Sequence, residues 1–252
     1  MTDSRFLKQV TVTGADDSVN YYDLCNISKR FPYVEWGILL SKNSEGYPRF
    51  PTLNWLEGFI AEKSPDVHLS GHLCGTWVRD IVDGGTAFIN ARRNDIRKGF
   101  ERYQLNFHAT QHLLSDAAKF IESLVFLTGV HNQQVIFQMD DTNNRIYHRA
   151  RSQYGKQRGV DAVALYDVSG GAGVLPEDWP EPMGDYCGYA GGLSPDNLKE
   201  QLGKIEQRIT NKDGSLCKIW IDAETHLRSP DNQQFDLDKV VQFLEIAKPY
   251  VI

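Results

Sequence analysis

The sequence is poor in the features that announce a function by themselves. Its four cysteines, Cys25, Cys74, Cys187 and Cys217, stand far apart with no Cys-x-x-Cys pair. Neither a zinc knuckle nor a dithiol redox centre is therefore written here, and free thiols in a reducing cytosol are expected. No run of about 18 apolar residues is available to span a bilayer, and Asp3, Arg5 and Lys8 occupy the stretch where a signal peptide would be apolar. The expectation is a cytoplasmic protein with no membrane partner. An excess of basic residues is missing too. Twenty-seven Lys and Arg against 33 Asp and Glu give a formal charge of −6, the wrong sign for a chain held to nucleic acid by phosphate neutralisation. His72 and Cys74 share one strand face, as do Asp222 and Glu224, but neither spacing is a recognised ligand set, so no metal and no cofactor is expected.

What is present is enough apolar residue, 41% of 252, for one sizeable core spanning residues 1–252. Strand-like and helix-like stretches alternate along the chain. Strands are expected at 9–13, 34–41, 67–74, 103–109, 135–140, 161–168, 186–190 and 218–224, from β-branched or apolar runs that end in turn residues. Between them lie helical patterns: one opened by Ser18, one capped by Thr52, Thr76 to Val82, Ser115 to Leu127, a polar one at 143–155, one introduced by Ser194-Pro195-Asp196, and a closing helix from Asp236. Residues 83–102, with Arg92, Arg93, Arg97 and Lys98, read as a long basic connection. Eight strands each followed by a helical segment make an α/β fold, a single (β/α)8 TIM barrel, whose chemistry sits at the C-terminal ends of the strands.

Helices cover the outside of such a barrel, so the apolar parity of each strand faces outward and the other parity enters the interior. That places Gln9, Thr11, Thr13, Glu35, His68, Ser70, His72, Cys74, Gln104, Asn106, His108, Gln138, Asp140, Trp220, Asp222 and Glu224 inside. Buried polar side chains need partners, water or a ligand. Glu35, deep in its strand, suits a structural role, a satisfied interior hydrogen bond or ion pair. Thr13, Cys74, His108, Asp140, Asp167 and Glu224 lie at strand ends and are better placed for chemistry.

The most specific pattern is in the last third. Gly170, Gly171 and Gly173 follow the sixth strand, and Gly191-Gly192 follows the seventh directly before a helix. Bare amides at two neighbouring strand ends make a cradle for a phosphate.

Asp167-Val168-Ser169-Gly170-Gly171-Ala172-Gly173, Trp179, and Ala190-Gly191-Gly192-Leu193-Ser194-Pro195-Asp196-Asn197 resemble the phosphate-binding half of phosphoribosylanthranilate isomerase, in the ribulose-phosphate-binding barrel superfamily. The resemblance covers roughly the last 90 residues; over the first 150 it is limited to the barrel order and an echo in strand one. It implies that Asp167 is the general acid; Arg49, in the loop after strand two, lies on the same predicted rim and is a further candidate for a ligand contact. The family's strand-one motif is Lys-x-Cys-Gly, with the cysteine as base; the matching stretch here is Thr11-Val12-Thr13-Gly14. A threonine hydroxyl alone does not abstract a proton at neutral pH.

Three readings stay open at this point. One is an isomerase acting on a phosphorylated ribosyl or sugar substrate by proton transfer, with Asp167 as acid, another base among Asp16, Cys74, His108 and Asp140, and Arg49, His72, Asp222 and Glu224 as further contacts. Another is a non-catalytic protein that retains a phosphorylated small molecule or nucleotide derivative, with Trp36, Trp179 or Tyr189 available for stacking. The third is a scaffold whose basic segment docks an acidic partner.

Overall fold

The computed structural model describes residues 5–91, 94–106, 117–128, 133–139, 144–167 and 169–252. Eight parallel strands close into a barrel in chain order: β1 Leu7–Thr13, β2 Val34–Leu40, β3 His68–Leu73, β4 Arg102–Leu105, β5 Gln134–Met139, β6 Asp161–Tyr166, β7 Tyr186–Ala190 and β8 Lys218–Ala223. The chain is thus a (β/α)8 barrel. Around it lie α1 Tyr21–Arg30, α2 Leu53–Glu62, α3 Thr76–Val82, α4 Ala87–Ala91, α5 Asn94–Lys98, α6 Ala117–Thr128, α7 Asn144–Ala150, α8 Gln153–Gln157, α9 Leu198–Ile209 and α10 Leu237–Ala247. Among the described residues no helix is long and apolar enough to cross a membrane.

Helix ends follow local chemistry. Asn20 caps α1 by accepting from the Tyr22 amide at 3.0 Å, and Asp236 caps α10 through Lys239 at 3.1 Å. Ser18, expected to open α1, turns instead to the Asp16 carboxylate. Regular α9 begins at Leu198, four residues after Ser194; Asn197 closes the intervening turn by accepting from the Ser194 amide and donating to the Gly192 carbonyl. Leu198, Leu202, Ile205 and Ile209 form the buried stripe of α9.

Three expectations need correction. The basic connection at 83–102 contains α4 and α5, and its last residue, Arg102, belongs to β4. The polar stretch at 143–155 forms two short helices in place of one. No helix is described between β6 and β7. That crossover is rich in proline and glycine (Gly170, Gly171, Gly173, Pro176, Pro180, Pro182, Gly184), which break helices by removing amide donors and by favouring positive φ. The loop covers the outer faces of β6 and β7 by other means. Trp179 lies edge-on to Tyr189 and donates to Gln201 at 3.0 Å, while the Tyr166 and Tyr189 hydroxyls donate to the Glu181 and Pro180 carbonyls.

The inward parity places side chains as the alternation predicts, and it divides the interior. On the β5 to β8 side Ile136, Val163, Leu165, Ala190 and Trp220 pack together. Gly188 permits this, since a Cβ there would collide with the Trp220 indole. On the β1 to β4 side the filling is polar. Glu35 accepts from Thr11 at 2.8 Å, from Gln9 at 3.1 Å and from two nitrogens of Arg102. The Arg102 guanidinium lies 4.6 Å from the centre of the Trp220 ring and so joins the two halves. Burial opposes the Arg102 charge, yet the Glu35 carboxylate holds its pKa above the ordinary value.

Breaking a buried pair strands a charge, whereas removing both members does not. Arg102→Met is therefore expected to lower unfolding stability by about 3–5 kcal/mol, and Glu35→Gln/Arg102→Met to recover most of that loss. Urea titration of the single and double variants checks this; losses that simply add would contradict it.

Candidate functional site

A cleft opens at the C-terminal ends of the strands. Its lining includes His72, Gln104, Asn106, Gln138, Asp167, Ser169, the five glycines of the two loops, Asp222, Glu224, Thr225 and His226. Three loops build one side of it. In the loop after β6, Gly170, Gly171 and Gly173 have φ of 60°, 89° and 71°; after β7, Gly191 and Gly192 have 114° and 65°. These are conformations that favour glycine, and at Gly173, Gly191 and Gly192 space demands it as well. A Cβ on Gly192 would come within 2.5 Å of the Leu175 nitrogen, and one on Gly191 within 3.0 Å of the Val174 carbonyl, so the two loops touch backbone to backbone. The loop after β8 locks onto the first: Thr225 donates to the Gly171 carbonyl at 3.3 Å, and His226 Nε2 lies 2.9 Å from the Gly173 carbonyl. Among the described residues, the amides of Gly171, Gly173, Gly191 and Gly192 make no hydrogen bond.

Asp167 lies just past the end of β6, 8% exposed. Gln138 Nε2 donates to one of its oxygens at 2.7 Å and Ser169 Oγ to the other at 2.8 Å, which fixes the carboxylate plane. The position of a Gly191 Cβ is only 3.7 Å from Asp167 Oδ1, so carboxylate and glycine loop adjoin.

Thr13 lies deeper and donates to Asp222 Oδ1 at 2.7 Å. Gly37, paired with Thr13 across β1 and β2, makes room for this contact. A Cβ there would collide with Thr13 Oγ1 and approach His72 Cε1 to 2.9 Å. Burial pushes the Asp222 carboxyl well above the usual range, assisted by Glu224, Asp167 and Glu35, while the Thr13 hydrogen bond opposes the shift. Burial likewise depresses His72 to about 3, so its imidazole is neutral beside Ser70 Oγ at 2.9 Å. It also raises the Cys74 thiol to about 12, against the Asn106 hydrogen bond, so no thiolate forms near neutrality.

Asp16 and Arg49 stand at the rim. Burial raises the Asp16 pKa, but bonds from Ser18, the Arg49 amide at 2.6 Å and Arg228 at 2.8 Å outweigh it and hold the group ionised. Arg49 adopts a positive φ of 78° and donates from its guanidinium to Glu224 at 2.7 Å. Burial also raises Glu224, opposed by Arg49.

The structure thus brings Asp167, Thr13, His72, Asp222, Glu224 and the five glycines to one end of the barrel, with Asp16 and Arg49 tied to its rim. His108 and Asp140, and with them Arg92 and Arg93, lie outside the described residues. Trp36, Trp179 and Tyr189 are not available for stacking. All three are buried in the layer outside the barrel, Trp36 donating to Ser28 at 2.9 Å. Sequence reasoning passed over Gly37, Ser169, Thr225, His226 and Arg228. Of these only Gly37, a glycine interrupting an apolar strand, carries a local signal of close approach.

Comparison of the sequence with protein families and with curated proteins gives no match. Comparison with solved structures gives several of the same fold. TrpF from Jonesia denitrificans superposes with a TM-score of 0.58 at 15% identity, over 96% of this chain and 98% of that one. Phosphoribosyl anthranilate isomerase from Thermus thermophilus gives 0.57 at 13% identity, over 95% and 98%. The enzyme from Thermotoga maritima gives 0.54 at 15%, over 96% and 98%. The fold is that of phosphoribosylanthranilate isomerase barrels, along the whole chain and not only its last third.

A carboxyl whose folded pKa is raised binds a proton in the folded state that the unfolded chain has released. The stabilisation belonging to Asp222 is thus present at low pH and is lost as pH rises from about 4. Asp222→Asn lacks this loss, so its unfolding free energy should gain on that of the parent as pH increases. Denaturation at several pH values measures the difference; parallel curves would contradict the assignment.

Proposed function

We propose that this barrel binds a phosphorylated ribosyl or sugar small molecule at the glycine loops and isomerises it by acid/base proton transfer. The observation that carries the reading is that four glycines whose amides make no hydrogen bond among the described residues, Gly171, Gly173, Gly191 and Gly192, line one cleft together with Asp167. Amides in that arrangement bind anions through their donors and partial charge. The local charge balance permits a phosphate despite nearby carboxylates: Arg49 neutralises Glu224, Arg228 neutralises Asp16, and burial favours the uncharged form of Asp222. One solved isomerase of this fold is in complex with reduced 1-(o-carboxyphenylamino)-1-deoxyribulose 5-phosphate, a phosphorylated sugar derivative.

Isomerisation requires one group to deliver a proton and another to remove one. Asp167, oriented by Gln138 and Ser169, is the acid that the resemblance names. Of the bases considered from the sequence, Asp16 is held in its ion pair with Arg228 and Cys74 remains a thiol. His72 does not retain a proton near neutrality. Asp222, held by burial toward its protonated form and bonded by Thr13, does not supply the base either, which leaves His108 and Asp140 of the candidates named from the sequence.

A second reading, retention of the ligand without turnover, is favoured by Thr13 itself. It stands where the isomerases carry their cysteine base, and its hydroxyl is committed to Asp222.

Purified protein incubated with a panel of phosphorylated ribosides, then denatured and analysed by mass spectrometry, separates the two. A changed product supports the isomerase, and an unchanged, tightly held compound the retaining protein. Asp167→Asn should abolish turnover while sparing binding in the first case only. Space around Gly171 is open, with no atom within 4 Å of the point where a Cβ would stand. Gly171→Asp therefore sets a carboxylate beside the cradle without a clash, and Gly171→Asn, which shares the strain of the positive φ, is its uncharged control. Binding of ribose 5-phosphate should fall at least about tenfold in the aspartate variant relative to the asparagine one; equal affinities would remove the main support for an anion cradle.

A further inference from the structure

The wall formed by β3 and β4 carries a polar group that the fold leaves unsatisfied. Gln104 is 4% exposed, and its Oε1 is buried without a hydrogen-bond partner among the described residues. Its orientation is set by a chain of contacts. Cys74, which burial keeps as a thiol, donates from Sγ to the His72 carbonyl at 3.5 Å and accepts from Asn106 Nδ2 at 3.2 Å. Asn106 therefore turns its oxygen to Gln104, which donates from Nε2 at 2.9 Å. That leaves Gln104 Oε1 as an acceptor with no donor, on a residue lining the cleft. A buried amide oxygen left unpaired is costly, and a native site tolerates it where a ligand supplies the donor. Among the described residues lining the cleft there is no lysine or arginine, and His72 is neutral. A ligand carboxylate at Gln104 Oε1 would meet an acceptor with an acceptor.

We infer that the β3–β4 wall is a specificity subsite for a neutral, hydrogen-bond-donating part of the ligand, a sugar hydroxyl or the exocyclic amine of a base, with Gln104 Oε1 as its acceptor. The inference rests on the phosphate reading above and deepens it. The glycine loops hold the anionic end while Gln104 selects at the other. Asn106 and Cys74 act as positioning residues, keeping the Gln104 oxygen turned away from the protein.

Titration calorimetry with ribose 5-phosphate, adenosine 5′-monophosphate and inorganic phosphate tests this on the full chain and on two variants. Gln104→Met removes the acceptor, and Gln104→Asn withdraws it while keeping an amide, so that one variant remains informative if the other does not fold. The expected result is a loss of about tenfold for an organic phosphate with inorganic phosphate unchanged. Loss for both organic ligands assigns the donor to a sugar hydroxyl, and loss for the nucleotide alone assigns it to the base amine. Unchanged affinity for both organic ligands overturns the subsite and leaves the phosphate reading standing. Equal weakening of all three ligands also overturns it, since the residue then acts on the cradle. Failure of the parent protein to bind any of the three overturns the phosphate reading and the subsite with it.

Discussion

The buried pair of Arg102 and Glu35 is the constraint around which the barrel interior is arranged. A guanidinium and a carboxylate removed from water are tolerable only when each is fully bonded. Thr11 and Gln9 complete the carboxylate from β1, and the Trp220 ring faces the cation from β8. Four strands are thereby tied through side chains as well as through the sheet. One inward position above Thr11, the Thr13 hydroxyl donates to Asp222 and begins the next layer.

From that floor upward the interior becomes less charged. Asp222 favours its protonated form, His72 is neutral, and Gln104, Asn106 and Cys74 form a chain of uncharged donors and acceptors. The fixed charges are moved to the rim, where Asp16 pairs with Arg228 and Glu224 with Arg49. A cleft so organised has bare amides on one side and neutral polar groups on the other. The amide side owes its shape to the crossover without a helix. Backbone contact between the loops after β6 and β7 requires glycine at 191 and 192, where a Cβ would meet Val174 and Leu175.

Much of this was readable in advance. The strand order, the parity that sends Thr13, His72, Gln104 and Asp222 inward, and the two glycine clusters follow from alternation and turn chemistry, which are local properties of the chain. Arg102 was not readable. At the end of a basic stretch it resembles a solvated residue, and only closure of the barrel puts it opposite Glu35, 67 positions away. Trp36, Trp179 and Tyr189 misled for the same reason: an aromatic near a glycine loop looks free to stack until the outer layer is seen to enclose it.

The sequence by itself determined a parallel (β/α)8 alternation and a pair of glycine loops at the ends of its sixth and seventh strands, because period, turns and glycines act over a few residues. Only the tertiary structure decided which ionisable groups carry charge. Cys74 as a thiol, Asp222 favouring its proton, Asp16 held ionised and Gln104 left with an open acceptor all depend on burial and on partners brought from distant strands. Desolvation and pairing are properties of position in the folded chain, and they set a pKa where residue type only sets its starting value.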